Sequence, residues 1–100
     1  MHIAYSLNKV PIRLTEERWF HIVENHNDLA GLYDEVLSTI ENPDLILRGY
    51  RDALIGIREM KEGYYLSVVY KEISANDGFI ITAYRTSKIG EEEIVWQKKL

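Results

Sequence analysis

Hydrophobic positions along the chain change their period once, near Pro43, and the fold class follows from that change. Ahead of it, Trp19, Ile22, Val23 and His26 recur at i, i+3, i+4 and i+7, the spacing of one helix face. Thr15 stands where an N-cap belongs, and Glu16 and Glu17 would fill a first turn that favours negative charge. The pattern predicts a helix over residues 16–25. Leu29, Leu32, Tyr33, Val36, Leu37 and Ile40 form a second helical stripe. Asn27 or Asp28 would cap it. Asn42-Pro43 stops it, because a residue before proline avoids the α region. Residues 11–14 alternate weakly and predict a short edge strand, since Pro11 cannot donate to a ladder.

After Pro43 the period falls to two. Residues 45–48 and 53–58 read as strands with a turn at Asp52, and Lys61-Glu62-Gly63 reads as a tight reversal. Residues 64–73 form a long strand rich in β-branched and aromatic side chains. Asn76-Asp77-Gly78 is a strong hairpin signal ahead of a fourth strand over 79–86. The tail from Gly90 carries Glu91-Glu92-Glu93 and then Ile94-Val95-Trp96, and is open between a short helix and a strand. Helices followed by closely linked strands predict an α+β fold: two N-terminal helices on one face of a four- to five-stranded antiparallel meander. The opposite face would be partly exposed and free to carry a site.

Composition narrows the functional classes. At 100 residues the chain suits one domain, residues 1–100, and no segment reads as a linker. Hydrophobic residues at 46% and charged residues at 28% fit a folded globular chain. The absence of cysteine excludes a disulfide framework, a thiolate metal site and a cysteine nucleophile. No signal peptide is visible, and no apolar run approaches the roughly 20 residues that cross a bilayer. The expected location is the cytoplasm, away from membranes. The net charge of −4 argues against a broad phosphate-gripping surface. The distribution softens that objection, because residues 1–43 hold three Lys/Arg against seven Asp/Glu, whereas residues 44–90 hold seven against six.

Candidate chemistry begins with histidine, the side chain that titrates near neutrality unperturbed. His21 falls on the polar side of the first helix, where it also suits a solvated residue, and His26 falls in line with the apolar stripe at the helix end, where it also suits a C-terminal cap or a satisfied core histidine. Being five apart, they do not share a face well enough for a paired metal site, and no cofactor motif is present. In the fourth strand Ile80, Thr82, Tyr84 and Thr86 alternate with Phe79, Ile81, Ala83 and Arg85. In the third, Tyr65, Ser67, Val69 and Lys71 share one face. Arg48, Arg51, Lys71, Arg85, Thr82, Thr86 and Tyr84 together offer cations, hydroxyls and a ring to a phosphodiester. The same residues also suit ordinary solvated positions near strand ends.

The run Ile12-Arg13-Leu14-Thr15-Glu16-Glu17-Arg18-Trp19-Phe20-His21-Ile22, followed by His26 and Leu29, resembles a signature of the phage-associated branch of the BECR proteins. That superfamily joins barnase, EndoU, certain colicin nucleases and RelE-type toxins. Val69-Tyr70-Lys71-Glu72 and the run from Gly78 to Ile89 resemble the same branch, so the likeness spans about residues 11–89. It implies metal-independent RNA cleavage by a toxin-like endoribonuclease, without a cofactor, and a small antitoxin or immunity partner. It also implies a role for His21 as the helical histidine, with His26 second, for Arg48 and Lys71 as strand cations, and for Thr82, Tyr84 or Thr86 as the last-strand polar group. The acidic net charge departs from the strongly basic RelE-type toxins. The alternative is a catalytically silent module of the same fold that binds a protein partner. If a histidine meets Lys71, Arg48 and Tyr84 in one cleft, the sequence favours the nuclease; if they scatter, it favours the binding module.

Overall fold

The computed structural model describes residues 2–99, apart from the side chain of Glu62. Thr15 caps the first helix, α1 (Glu16–Asn25), by accepting a hydrogen bond from the Arg18 N–H at 3.1 Å. His26 closes α1, its backbone N–H donating to Ile22 O. The second helical stripe does not form one helix. It divides into a 3-10 turn at Asn27–Leu29 and a helix, α2 (Tyr33–Glu41). Gly31 lies in the break, where a residue of low helix propensity favours interruption. Leu29 still enters the core from the 3-10 turn, so the stripe is preserved although the hydrogen-bond ladder is not.

The sheet corrects the expected four to five antiparallel strands. Among the described residues it has seven, and it is mixed. Two precede the helices, β1 (His2–Tyr5) and β2 (Pro11–Leu14). Four follow, β3 (Leu45–Arg48), β4 (Leu54–Glu59), β5 (Tyr65–Ser74) and β6 (Asp77–Thr86), and the tail supplies β7 (Ile94–Gln97). The spatial order is β1-β2-β6-β5-β4-β3-β7. The stretch from β3 to β6 is the antiparallel meander expected from the period-two pattern. The added parallel pair joins β2 to β6 through Ile12↔Gly78 and Arg13↔Phe79. β2 is therefore interior rather than an edge strand, and Pro11 is tolerated because it sits at the strand's first residue.

Two contacts hold that parallel seam. The Arg13 guanidinium grips the Asp77 carboxylate with two hydrogen bonds, 2.9 and 3.2 Å long. Gly78 lets β2 and β5 close in, since a Cβ there would lie 2.6 Å from both Ile12 Cδ1 and Lys71 O. The expected hairpin turn at Asn76-Asp77-Gly78 shifts back to Ala75-Asn76, and Gly78 serves close approach instead of the turn.

Both helices cover one face of the sheet. Ile22, Leu29, Val36 and Ile40 bury against Leu66, Val68, Tyr70, Ile80 and Ala83, with Ala4, Val10, Ile12 and Leu14 from the first hairpin. Burial of these side chains is the main source of stability. Tyr70 is 1% exposed, and burial pushes its phenol well above the usual tyrosine range, so it stays neutral at physiological pH. On the far face Leu45, Leu47, Ile55 and Ile57 cluster with Tyr65 and Val69. Ile89 lines a small cavity with Leu45, Ile57 and Tyr65, so the chain between β6 and β7 crosses this face and covers the β3–β4 half. On the β5–β6 half Ser67 is buried, while Tyr65, Val69, Lys71, Thr82 and Tyr84 stay partly exposed. No helix among the described residues is long and apolar enough to cross a membrane.

Candidate functional site

The open half of the far face is built from β5 and β6. On β5, Tyr65, Ser67, Val69 and Lys71 project to it, because their neighbours Leu66, Val68 and Tyr70 enter the helical core. On β6, Tyr84 stands opposite Ser67, Thr82 opposite Val69, and Phe79 opposite Lys71. The register shifts between Val69 and Tyr70, leaving Ile81 as an extra residue. This bulge breaks the row Ile80, Thr82, Tyr84, Thr86 expected from strict alternation. Ile80 pairs with Tyr70 and points into the core, while Thr82 and Tyr84 remain on the open face.

His26 reaches this surface from the end of α1. Its ring centroid lies 6.3 Å from that of Tyr84, and the side chain is half-buried. The outer edge of β6 is paired with β2 only at Gly78 and Phe79. The remaining length of that edge lies free beside α1, which is how a helix-end histidine meets a strand tyrosine. His26, Tyr84, Thr82 and Lys71 thus follow one another along the β5–β6 pair. Lys71 pairs with Phe79, and Thr82 lies beyond the Ile81 bulge opposite Val69.

The other candidates lie elsewhere. His21 is exposed on α1, where its Nδ1 is 3.6 Å from Glu24 Oε1. Arg85 follows Tyr84 in the strand and therefore points to the opposite face. Its Nε is 3.6 Å from Asp28 Oδ2, and its guanidinium lies over the Tyr64 ring at 4.1 Å. The Thr86 hydroxyl donates to Lys88 O at 2.9 Å and accepts from the Lys88 N–H at 3.2 Å, which turns the chain into its crossover. Arg51 occupies a left-handed backbone position, φ 53°, in the turn Tyr50–Asp52, with its guanidinium 5.3 Å from the Tyr50 ring centre.

Arg48 is the largest departure from the expected constellation. Its strand, β3, is three places from β6 in the sheet, and its Nε donates to Glu93 Oε1 at 3.0 Å. It lines a second depression, about 360 Å³, with Ile46, Leu54, Glu72 and Trp96. Glu72 is held there by the Ser6 hydroxyl and the Asn8 amide. The expected single cleft of histidine, Lys71, Arg48 and Tyr84 is therefore not formed. A smaller set of His26, Tyr84, Thr82 and Lys71 shares the open face.

That set contains an imidazole, a phenol, a hydroxyl and an ammonium, which are the parts needed to move protons around a phosphodiester and balance its charge. Among the described residues no three His, Asp or Glu side chains gather into a cluster able to hold a metal ion. Ser67 and Val69 were placed on the Lys71 face by the sequence but not among the named candidate residues. They form the floor between Lys71 and Tyr84, and their parity with Lys71 was the signal that places them there. Comparisons of the chain with known protein families, with curated proteins and with solved structures find no match.

Proposed function

We propose that the protein is a toxin-like endoribonuclease that cleaves RNA without a metal, using the open β5–β6 face as its site. The observation that carries this reading is the approach of His26 to Tyr84, 6.3 Å between ring centroids, on the same stripe as Thr82 and Lys71. His26 takes the proton of a ribose 2′-hydroxyl, and the oxygen attacks the adjacent phosphorus. The 5′-oxygen leaves with a proton supplied by the Tyr84 phenol. Lys71 balances the charge that builds on the phosphorane, and Thr82 donates a hydrogen bond to a phosphate oxygen. The products are a 2′,3′-cyclic phosphate and a free 5′-hydroxyl. The resemblance to the BECR branch supports the same reading, with His26 rather than His21 in the role of the helical histidine. A small antitoxin or immunity protein covering this face belongs to that proposal.

The second reading is a catalytically silent module that binds a protein through the same face. It is favoured by the absence of a single cleft joining a histidine, Lys71, Arg48 and Tyr84, and by the dispersal of Arg48, Arg51 and Arg85, which leaves Lys71 as the cation of the stripe in a chain of net charge −4. Incubation of the purified protein with structured and unstructured RNA in EDTA separates the two. The nuclease reading expects cleavage with 2′,3′-cyclic phosphate ends. Intact RNA, in all substrates and at enzyme excess, contradicts it and leaves the binding module.

A further inference from the structure

We infer that two copies of this chain pair antiparallel through their β7 strands, joining the two seven-stranded sheets into one. β7 is the last strand of the sheet and, among the described residues, pairs only with β3, so its outer edge presents amides and carbonyls without a strand partner. Natural edge strands are usually blunted by shortness, a bulge, a proline, a charge or a covering element; β7 is four residues long and shifts register at Val95. Ile94-Val95-Trp96-Gln97 contains neither proline nor charge, and Ile94, Val95 and Trp96 are 54%, 38% and 37% exposed. The opposite edge is treated differently. There the Tyr5 N–H of β1 donates to Glu41 Oε2 at 2.9 Å, and the His2 Nδ1 lies 2.6 Å from the Tyr33 hydroxyl. α2 thus satisfies one amide of the β1 edge, and no side chain bonds to the β7 backbone among the described residues.

The flanking charges select the partner. Glu91-Glu92-Glu93 lead into β7, and Lys98-Lys99 follow it. A two-fold axis normal to the sheet, passing at Val95, sets Glu91 and Glu92 of each copy against Lys99 and Lys98 of the other. The match occurs twice, as an isologous interface requires. A parallel arrangement would stack like charge on like charge. Glu93 already holds Arg48, and Lys98 Nζ lies 3.9 Å from Asp44 Oδ1, but the side chains of Glu93 and Lys98 are 67% and 63% exposed and keep a free side for a second partner. Glu91, Glu92 and Lys99 form no ion pair among the described residues. A sequence that reads acidic, apolar, basic across a bare edge is complementary to itself reversed.

Sedimentation equilibrium across protein concentrations tests this. The unmodified protein is expected to be a dimer whose dissociation constant rises by about tenfold or more between roughly 50 mM and 500 mM NaCl. Glu91→Lys with Glu92→Lys in one chain, and Lys98→Glu with Lys99→Glu in another, are each expected to sediment as monomers. Mixed in equal amounts, the two variants are expected to form a heterodimer, which also shows that both are folded. Glu93 is left in place so that Arg48 keeps its partner. A monomeric unmodified protein at concentrations up to about 1 mM, variants that dimerise as tightly as the unmodified chain, or a mixture that stays monomeric would each overturn the inference.

Discussion

Replacing His26 by alanine is expected to lower the rate of RNA cleavage by about two to four orders of magnitude, the usual contribution of a positioned proton-transfer group. His21→Ala is expected to change it by less than about twofold, because an exposed histidine paired with Glu24 touches no part of the open face. The contrast follows from geometry, since both histidines belong to the same segment, His21 within α1 and His26 at its C-cap. His26 lies at the α1 terminus beside the free part of the β6 edge, where its ring meets Tyr84. Single-turnover rates on one RNA at saturating enzyme provide the check. Equal losses in the two variants, or a larger loss for His21→Ala, would contradict the assignment.

Gly78→Val is expected to destabilise the fold by about 3 kcal/mol or more, within the range of severe overpacking. A Cβ at Gly78 would meet Lys71 O and Ile12 Cδ1 at 2.6 Å each. The isoleucine end can rotate away. The carbonyl belongs to the β5 backbone and can yield only if the strand shifts. The position also joins β2 to β6, so the shift would loosen the Arg13–Asp77 grip at the same seam. Urea unfolding followed by tryptophan fluorescence measures the effect. A midpoint equal to that of the unmodified protein would show that the strands do not approach closely at Gly78.

What the sequence revealed depended on whether the signal was local. The first helix was legible to the residue because the Thr15 cap and the Trp19–Ile22–His26 stripe are both contained within it. The meander was legible because hairpin-linked strands announce themselves by period and by turn. β1 and the parallel β2–β6 pair were not, since residues 11–14 and 78–79 are far apart in the chain and no local pattern records their pairing. The pause at Gly31 was visible as a glycine, but the stripe continued through it and outweighed it. The covering of the β3–β4 half by the crossover left no periodic trace.

The site was half legible for the same reason. Alternation alone places Tyr84 and Arg85 on opposite faces, and Lys71 beside Ser67 and Val69. It does not foresee the Ile81 bulge, which separates Ile80 from Thr82. Nor does it show that Arg48 lies three strands away from β6, because face and sheet position are independent. The choice between His21 and His26 needed the packing of α1 against β6, a tertiary fact that helical phase does not contain.

The most direct test of the open face as the RNA site is chemical-shift mapping with an RNA whose scissile 2′-hydroxyl is replaced by hydrogen, so that it binds without being cut. The account predicts that the largest amide and ring shifts fall on Val69, Lys71, Thr82, Tyr84 and His26. Shifts centred instead on Arg48, Glu72 and Trp96, or no shifts at an excess of RNA, would contradict it.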